Sequence, residues 1–126
     1  MTASYPRPLI VKVLDDDRTM FEVCLEFSYI TESGEQYWVP VNFPTDFASV
    51  PKPFRSLIDR AGRHSRAAVI HDYLYAYQVR SVPRHRADQI FLEAMTTSNV
   101  KPWRRRLIWL AVRAFGWIVW NRRKLT

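Results

Sequence analysis

The chain has 126 residues, 48% of them hydrophobic, which excludes a disordered chain and provides enough apolar surface for one domain spanning 1–126. A single cysteine, Cys24, excludes a disulfide scaffold and a multi-cysteine metal cluster. The N-terminal residues contain no long apolar run, so we expect no secretory signal and synthesis in a reducing cytoplasm.

The net charge of +7 is concentrated at the C-terminal end of the chain. Residues 1–50 carry three basic and eight acidic side chains, and residues 51–100 carry eight and four. Residues 101–126 carry eight basic side chains and no acidic one. This asymmetry predicts an anionic partner surface in the C-terminal segment. Its candidate residues are Arg104, Arg105, Arg106, Arg122, Arg123 and Lys124.

Hydrophobic residues alternate with polar ones through much of the first forty residues. Between Phe21 and Tyr29 every second residue is apolar, and the alternation resumes at Tyr37 after a turn at 32–35. A weaker strand covers 9–14. This period-2 pattern predicts about three antiparallel strands over residues 9–41, including a hairpin.

The rest of the chain predicts helices that follow a Pro-rich segment. Residues 42–63 contain three prolines among buried-type aromatic and aliphatic residues, which is typical of an ordered, packed loop. Periodicity then predicts helices over about 64–80, 83–97 and 102–121. We therefore expect an α+β fold, with a small antiparallel N-terminal sheet followed by three packed helices.

Two ionisable side chains fall on the apolar faces of neighbouring predicted helices. His71 shares a face with Ala67, Ala68 and Tyr75, and Asp88 begins the apolar stripe of the next helix. Burying both groups is costly unless they meet, so we expect a His71–Asp88 pair. Such a pair can activate water by general-base catalysis, or it can be a polar clasp between two helices.

Asp72 points away from His71 around the same helix and has several possible roles. It can bind a hard cation, cap the Pro-rich loop, or pair with Arg55, Arg63 or Arg66. A zinc site from the three histidines is disfavoured, because His64 and His71 lie about 10 Å apart along a helix axis. Few glycines are present, and this disfavours a phosphate-binding loop.

The third predicted helix is apolar on nearly all sides between Leu107 and Trp120. At about 21 Å this stretch is too short to span a bilayer, so no transmembrane segment is expected. It is either a core helix with solvated ends or an interfacial, partner-docking helix. Nucleic-acid binding is disfavoured, because the arginines flank an apolar segment and do not line a polar face.

Four motifs occur in order along the chain: VPVNFPTDFASVPKPF, AAVIHDYLY, RADQIFLEAM and RRLIWLAVRAFGWIVW. Together they resemble a domain of unknown function common in tailed phages and prophages. The resemblance implies a small phage protein, encoded among tail or lysis genes and made in the host cytoplasm. Asp46 and Ser49, in the first motif, are candidate supporting residues.

The AAVIHDYLY and RADQIF motifs are also similar to the paired-helix core of secreted phospholipases of the A-two type and of parvovirus capsid phospholipases. This resemblance implies that His71 is a general base, Asp88 its orienting partner and Tyr75 a hydrogen-bonding support. It further implies Asp72 as the carboxylate of a calcium site.

Two functional hypotheses follow. The first is a hydrolase with a His71–Asp88 centre, acting on phospholipid or another ester or amide at the host envelope, with the basic tail near an anionic membrane surface. The second is a non-enzymatic tail or baseplate component of the virion, whose tail docks against other phage proteins. A hydrolase needs His71 in an open cleft, whereas a clasp leaves it sealed from solvent.

Overall fold

The N-terminal part of the chain forms two small antiparallel sheets. The computed structural model describes residues 3–14, 21–45, 65–77 and 82–124, with side chains described as far as Asn121. Five strands lie in this order: β1 (Val11–Val13), β2 (Phe21–Val23), β3 (Phe27–Ile30), β4 (Gln36–Val39) and β5 (Pro44–Thr45). One sheet has the order β1-β2-β5, and β3 pairs with β4 in the other.

The alternating segment from Phe21 to Tyr29 is divided between the two sheets. β2 ends at Val23, whose N–H donates to the carbonyl of Phe43, and the chain then passes into β3. Val23, Phe27 and Tyr29 on the apolar side of the alternation are buried, whereas Leu25 is half-buried and Ser28 on the polar side is buried as well. Alternation shows which face is buried, but it does not show which neighbouring strand a residue pairs with.

The predicted hairpin is present as β3 and β4, with Tyr29 opposite Tyr37. In its turn the Thr31 N–H donates to the carbonyl of Glu35, and Gly34 has a φ of 89°. That left-handed conformation favours glycine, which explains the residue at this position.

The Pro-rich segment begins with a strand where a loop was predicted. Among the described strands, β5 pairs only with β2, with Thr45 opposite Phe21. An edge position explains how Pro44 is accommodated, since proline has no N–H to donate to a second neighbour. The remainder of this segment, including Asp46 and Ser49, lies outside the described residues.

The described residues after the sheets form three helices: α1 (Ser65–Tyr77), α2 (Arg84–Thr97) and α3 (Pro102–Lys124). The arrangement is α+β, as predicted, and α3 continues three residues beyond its predicted end. Each helix packs against the other two, and α1 also contacts β4. In the described part of the chain, none of the helices combines the length and apolar character that crossing a membrane requires.

Candidate active site

His71 and Asp88 meet between α1 and α2. Nε2 of His71 lies 2.7 Å from Oδ1 of Asp88. Both residues are buried, with His71 4% exposed and Asp88 fully enclosed. The contact expected from their positions on apolar helix faces is therefore present, whereas a role in catalysis stays a prediction.

The Asp88 carboxylate has three further partners. The Tyr75 hydroxyl donates to Oδ1 at 2.6 Å, so this oxygen serves both Tyr75 and His71. On Oδ2, Nη1 of Arg113 donates at 2.6 Å, and Nη1 of Arg84 lies 3.6 Å away. Side chains from all three helices thus converge on one carboxylate.

These partners determine the charge state of Asp88. Burial by itself raises the pKa of a carboxyl, because the charged form loses its hydration. Hydrogen bonds from His71, Tyr75 and Arg113 outweigh burial and hold the pKa of Asp88 below its ordinary value. Burial and the neighbouring Asp88 carboxylate both raise the pKa of Tyr75, so its hydroxyl stays protonated and donates.

An ionised Asp88 determines how the His71 ring is oriented. A carboxylate only accepts hydrogen bonds, so Nε2 of His71 carries a proton and donates it. In the neutral ring the other nitrogen, Nδ1, then holds the lone pair. Among the described residues, Nδ1 makes no hydrogen bond, and it can act as a proton acceptor.

Aromatic rings enclose the imidazole. Phe91 stacks on it with a centroid distance of 4.4 Å, and the Tyr75 ring lies 4.2 Å away. Trp120 of α3 packs edge-on against Tyr75 at 5.1 Å. This packing fixes the plane of the ring, and it gives His71 the low exposure expected of a helix clasp.

Gly116 lets α3 approach this cluster closely. A Cβ atom at this position would lie 2.7 Å from the Tyr75 hydroxyl and 3.1 Å from Nη1 of Arg84. The same arginine donates to the carbonyls of Val112 and Arg113, at 3.3 Å each. The absence of a side chain at Gly116 therefore leaves space for the tyrosine that holds Asp88.

Asp72 follows His71 in the sequence and is also buried, but its side chain contacts different residues. Its Oδ2 accepts a 2.5 Å hydrogen bond from the Thr45 hydroxyl, which connects α1 to the start of the Pro-rich segment. Of the arginines considered as its partner, Arg66 lies over the Tyr5 ring at 4.5 Å, and Arg55 and Arg63 lie outside the described residues.

The described residues do not by themselves form a metal site. Nowhere in residues 3–14, 21–45, 65–77 and 82–124 do three or more His, Cys, Asp or Glu side chains come together in a way that would hold an ion. Asp72 is the carboxylate that the phospholipase resemblance assigns to calcium, and one of its oxygens already accepts from Thr45.

The predicted anionic-partner residues differ in exposure. Arg106 is exposed, whereas Arg104 and Arg105 are half-buried. The guanidinium of Arg104 lies over the Trp103 ring at 5.5 Å, and that of Arg105 donates to the Val100 carbonyl at 3.1 Å. The backbone of 122–124 is helical, and the side chains of Arg122, Arg123 and Lys124 lie outside the described set.

Sequence reasoning missed the two arginines that contact Asp88. Arg84 precedes Asp88 by four residues, the spacing that brings charged side chains together on one helix face. Arg113 is the one charged residue between Leu107 and Trp120. Both signals were available: an i,i+4 pair, and a lone arginine in an apolar stretch that must find an acceptor.

A family model matches the part of the chain that contains His71, Tyr75 and Asp88. The model described as "Protein of unknown function (DUF1353)" matches residues 21–112, which include α1 and α2. The chain is also similar to "Uncharacterized protein y4jT" of Sinorhizobium fredii (strain NBRC 101917 / NGR234), with 31% identity over 103 residues. The match covers 80% of this chain and 30% of that relative, so the chain spans about 30% of its length. No solved structure matches the chain significantly.

Proposed function

The chain belongs to the DUF1353 family, and we propose that its buried His71–Asp88 pair is the general-base centre of a hydrolase. The observation that supports this proposal is that the two nitrogens of the His71 ring have different hydrogen-bonding environments. Nε2 is held at 2.7 Å by an ionised carboxylate, while Nδ1 has no hydrogen bond within the described part of the chain.

In the proposed reaction, Nδ1 of His71 takes a proton from a water molecule as the water oxygen attacks a carbonyl carbon. Asp88 keeps the ring oriented and stabilises the imidazolium that forms. The imidazolium then returns the proton to the leaving oxygen or nitrogen, so that one water is consumed and the ester or amide bond breaks. Tyr75 and Arg113 hold the Asp88 carboxylate in place.

We propose phospholipid as the first substrate class to test, with other esters and amides next. The support is the similarity of the two helix motifs to secreted and parvoviral phospholipases, which use the same residue types. That similarity also implies calcium near Asp72, and no step of the reaction is assigned to the ion.

The experiment is fatty-acid release from anionic phospholipid vesicles, with calcium and with a chelator. His71→Asn is compared with wild type, and His85→Asn is the matched control, because His85 is an exposed histidine on α2. We expect His71→Asn to lower the rate by about 100-fold or more and His85→Asn to leave it unchanged. A lack of fatty-acid release by folded wild-type protein would refute phospholipid as the substrate, and equal release by the His71 variant would refute the general-base role.

A second candidate function rests on the low exposure of His71. With 4% of its surface exposed and Asp88 joined to all three helices, the cluster is also suited to clasping the helices of a non-enzymatic virion component. The resemblance to phage and prophage domains supports a tail or baseplate location. Mass spectrometry of particles purified after prophage induction tests this, and a chain absent from the particles would contradict it.

A further inference from the structure

α3 presents an apolar face that the described part of the molecule leaves exposed. Its residues recur at alternating spacings of four and three, which places them along one side of a helix. They are Trp103, Leu107, Leu110, Ala114, Trp117 and the adjoining Ile118, and we call them the α3 stripe. Trp103 is 54% exposed, Leu110 55% and Trp117 52%, while Ile108 and Val112 on the other side are buried in the core.

The charged residues of α3 itself are all basic. Arg106 is exposed and lies three residues after Trp103 and four before Leu110, at the edge of the stripe. No acidic residue occurs anywhere after Glu93, whereas residues 101–126 contain eight basic ones. The complementary partner is therefore apolar in its interior and negatively charged at its surface.

We propose that the α3 stripe docks onto the surface of an anionic phospholipid bilayer. A helix lying in the interface inserts its apolar side among the acyl chains while its arginines contact phosphate groups. Trp103 and Trp117 lie near the two ends of the stripe, and indole rings are enriched at the headgroup level of membranes. The stripe is about 21 Å long from Trp103 to Trp117, enough for a helix lying flat.

A second copy of the chain fits the α3 stripe less well than a bilayer does. Two α3 helices packed stripe to stripe would bring their basic residues together with no acidic residue on either helix to neutralise them. An anionic bilayer supplies that neutralisation. A bilayer surface is also wide enough to cover the whole α3 stripe.

The α3 stripe borders the candidate active site. Arg113, which contacts Asp88, lies three residues after Leu110 and four before Trp117, so it is the helix-surface neighbour of both. Docking would therefore place the His71–Asp88 cluster beside the lipid surface. In this respect the inference deepens the proposed function by naming how the substrate is presented.

The test is cosedimentation of the full chain with vesicles of phosphatidylcholine and phosphatidylglycerol, compared with phosphatidylcholine alone. The stripe variant is Leu110→Gln/Trp117→Gln, and Trp38→Gln is the matched control, because Trp38 is an exposed tryptophan on β4. Since these side chains are exposed, we expect all variants to fold. We expect wild type to bind anionic vesicles at least about tenfold more tightly than neutral ones, and less tightly as salt rises. The stripe variant should lose about tenfold or more, and the control should bind like wild type.

Equal binding by the stripe variant and the control would overturn the inference, as would no binding of wild type to anionic vesicles. A wild-type dimer that the stripe variant converts to monomer would assign the stripe to a second copy instead. The docking inference and the proposed hydrolase activity can be refuted independently of each other. Protein that binds vesicles but releases no fatty acid refutes phospholipid hydrolysis, and protein that cleaves a soluble ester without binding vesicles refutes the docking.

Discussion

Arg113 and His71 bind opposite oxygens of the same carboxylate. Nη1 of Arg113 donates to Oδ2 of Asp88 at 2.6 Å, while Nε2 of His71 lies 2.7 Å from Oδ1. Arg113 lies on α3 and His71 on α1, so Asp88 joins two helices that are distant in the sequence. One buried carboxylate therefore contacts both α3 and the imidazole of α1.

Removing the Arg113 guanidinium should destabilise the protein more than removing an exposed one. Arg113→Met leaves Oδ2 of Asp88 with only the more distant Arg84, and we expect unfolding to become easier by about 1–3 kcal/mol. Arg106→Met is the matched control on the same helix, with an expected change within about 0.5 kcal/mol. Urea denaturation of both variants measures the difference, and equal midpoints would show that the Asp88 contact contributes nothing.

Asp88→Asn should destabilise the protein more than Arg113→Met does. The amide cannot neutralise Arg113 and Arg84, and its NH2 group can only donate. If the amide oxygen accepts from His71 and Tyr75, the NH2 group faces the two arginines, and if the amide is flipped it faces His71 and Tyr75. We expect a loss of about 2–4 kcal/mol in the free energy of unfolding. Glu26→Gln removes a carboxylate whose ion pair with Arg7 is exposed, so it should change stability by less than about 0.5 kcal/mol. A melting temperature for Asp88→Asn equal to that of the Glu26 variant would contradict a stabilising role for the carboxylate.

Gly116→Ala should destabilise the protein, although alanine is normally the better helix former. The added Cβ would lie 2.7 Å from the Tyr75 hydroxyl, which is held by Asp88 and cannot move freely. We expect a cost of about 1–3 kcal/mol from overpacking, against a normal gain of about 1 kcal/mol from helix propensity.

A double-mutant cycle identifies the cause of that cost. Tyr75→Phe removes the hydroxyl that the new methyl group would meet. The double variant Gly116→Ala/Tyr75→Phe should therefore lose less stability than the sum of the two single losses. Strict additivity in chemical denaturation would mean that Tyr75 is not the obstacle.

Stability should fall in acid as Asp88 takes up a proton. The pKa of Asp88 in the folded protein lies below the value of about 3.9 for an unfolded chain, so between the two values the unfolded chain binds a proton that the folded one does not. The stabilisation is therefore complete above about pH 4 and is lost as the pH falls through the folded pKa. Thermal melts from pH 6 to pH 2 should show a shallower acid decline for Asp88→Asn than for wild type.

Glu35 provides the comparison for that pH profile. Hydrogen bonds from Tyr37, Ser33 and Arg86 lower the pKa of Glu35 to about 2. Ionised Glu35 therefore also stabilises the folded protein, and this stabilisation is also lost as the pH falls. Because its side chain is 42% exposed, Glu35→Gln should flatten the profile less than Asp88→Asn does. If Glu35→Gln flattened the pH profile more than Asp88→Asn does, the main acid-sensitive group would be Glu35 in the hairpin and not Asp88.

Periodicity was sufficient to predict the helices and the buried side of the strands, because both depend on which residues can leave water. The buried positions of Val23, Phe27 and Tyr29 follow from alternation alone. The change of sheet after Val23 and the pairing of Pro44–Thr45 with β2 did not follow, because alternation shows which face is buried but not which strand lies beside it.

The same division holds at the candidate site. Helical periodicity places His71 and Asp88 on apolar helix faces, and the cost of burying two unpaired ionisable groups made their contact predictable. Three features could be seen only in the folded chain: Arg113 and Arg84 share the carboxylate, Gly116 leaves space for Tyr75, and the α3 stripe faces outward. α3 is apolar on nearly all sides, so its sequence does not say which side turns inward. That choice depends on how its surface fits α1 and α2.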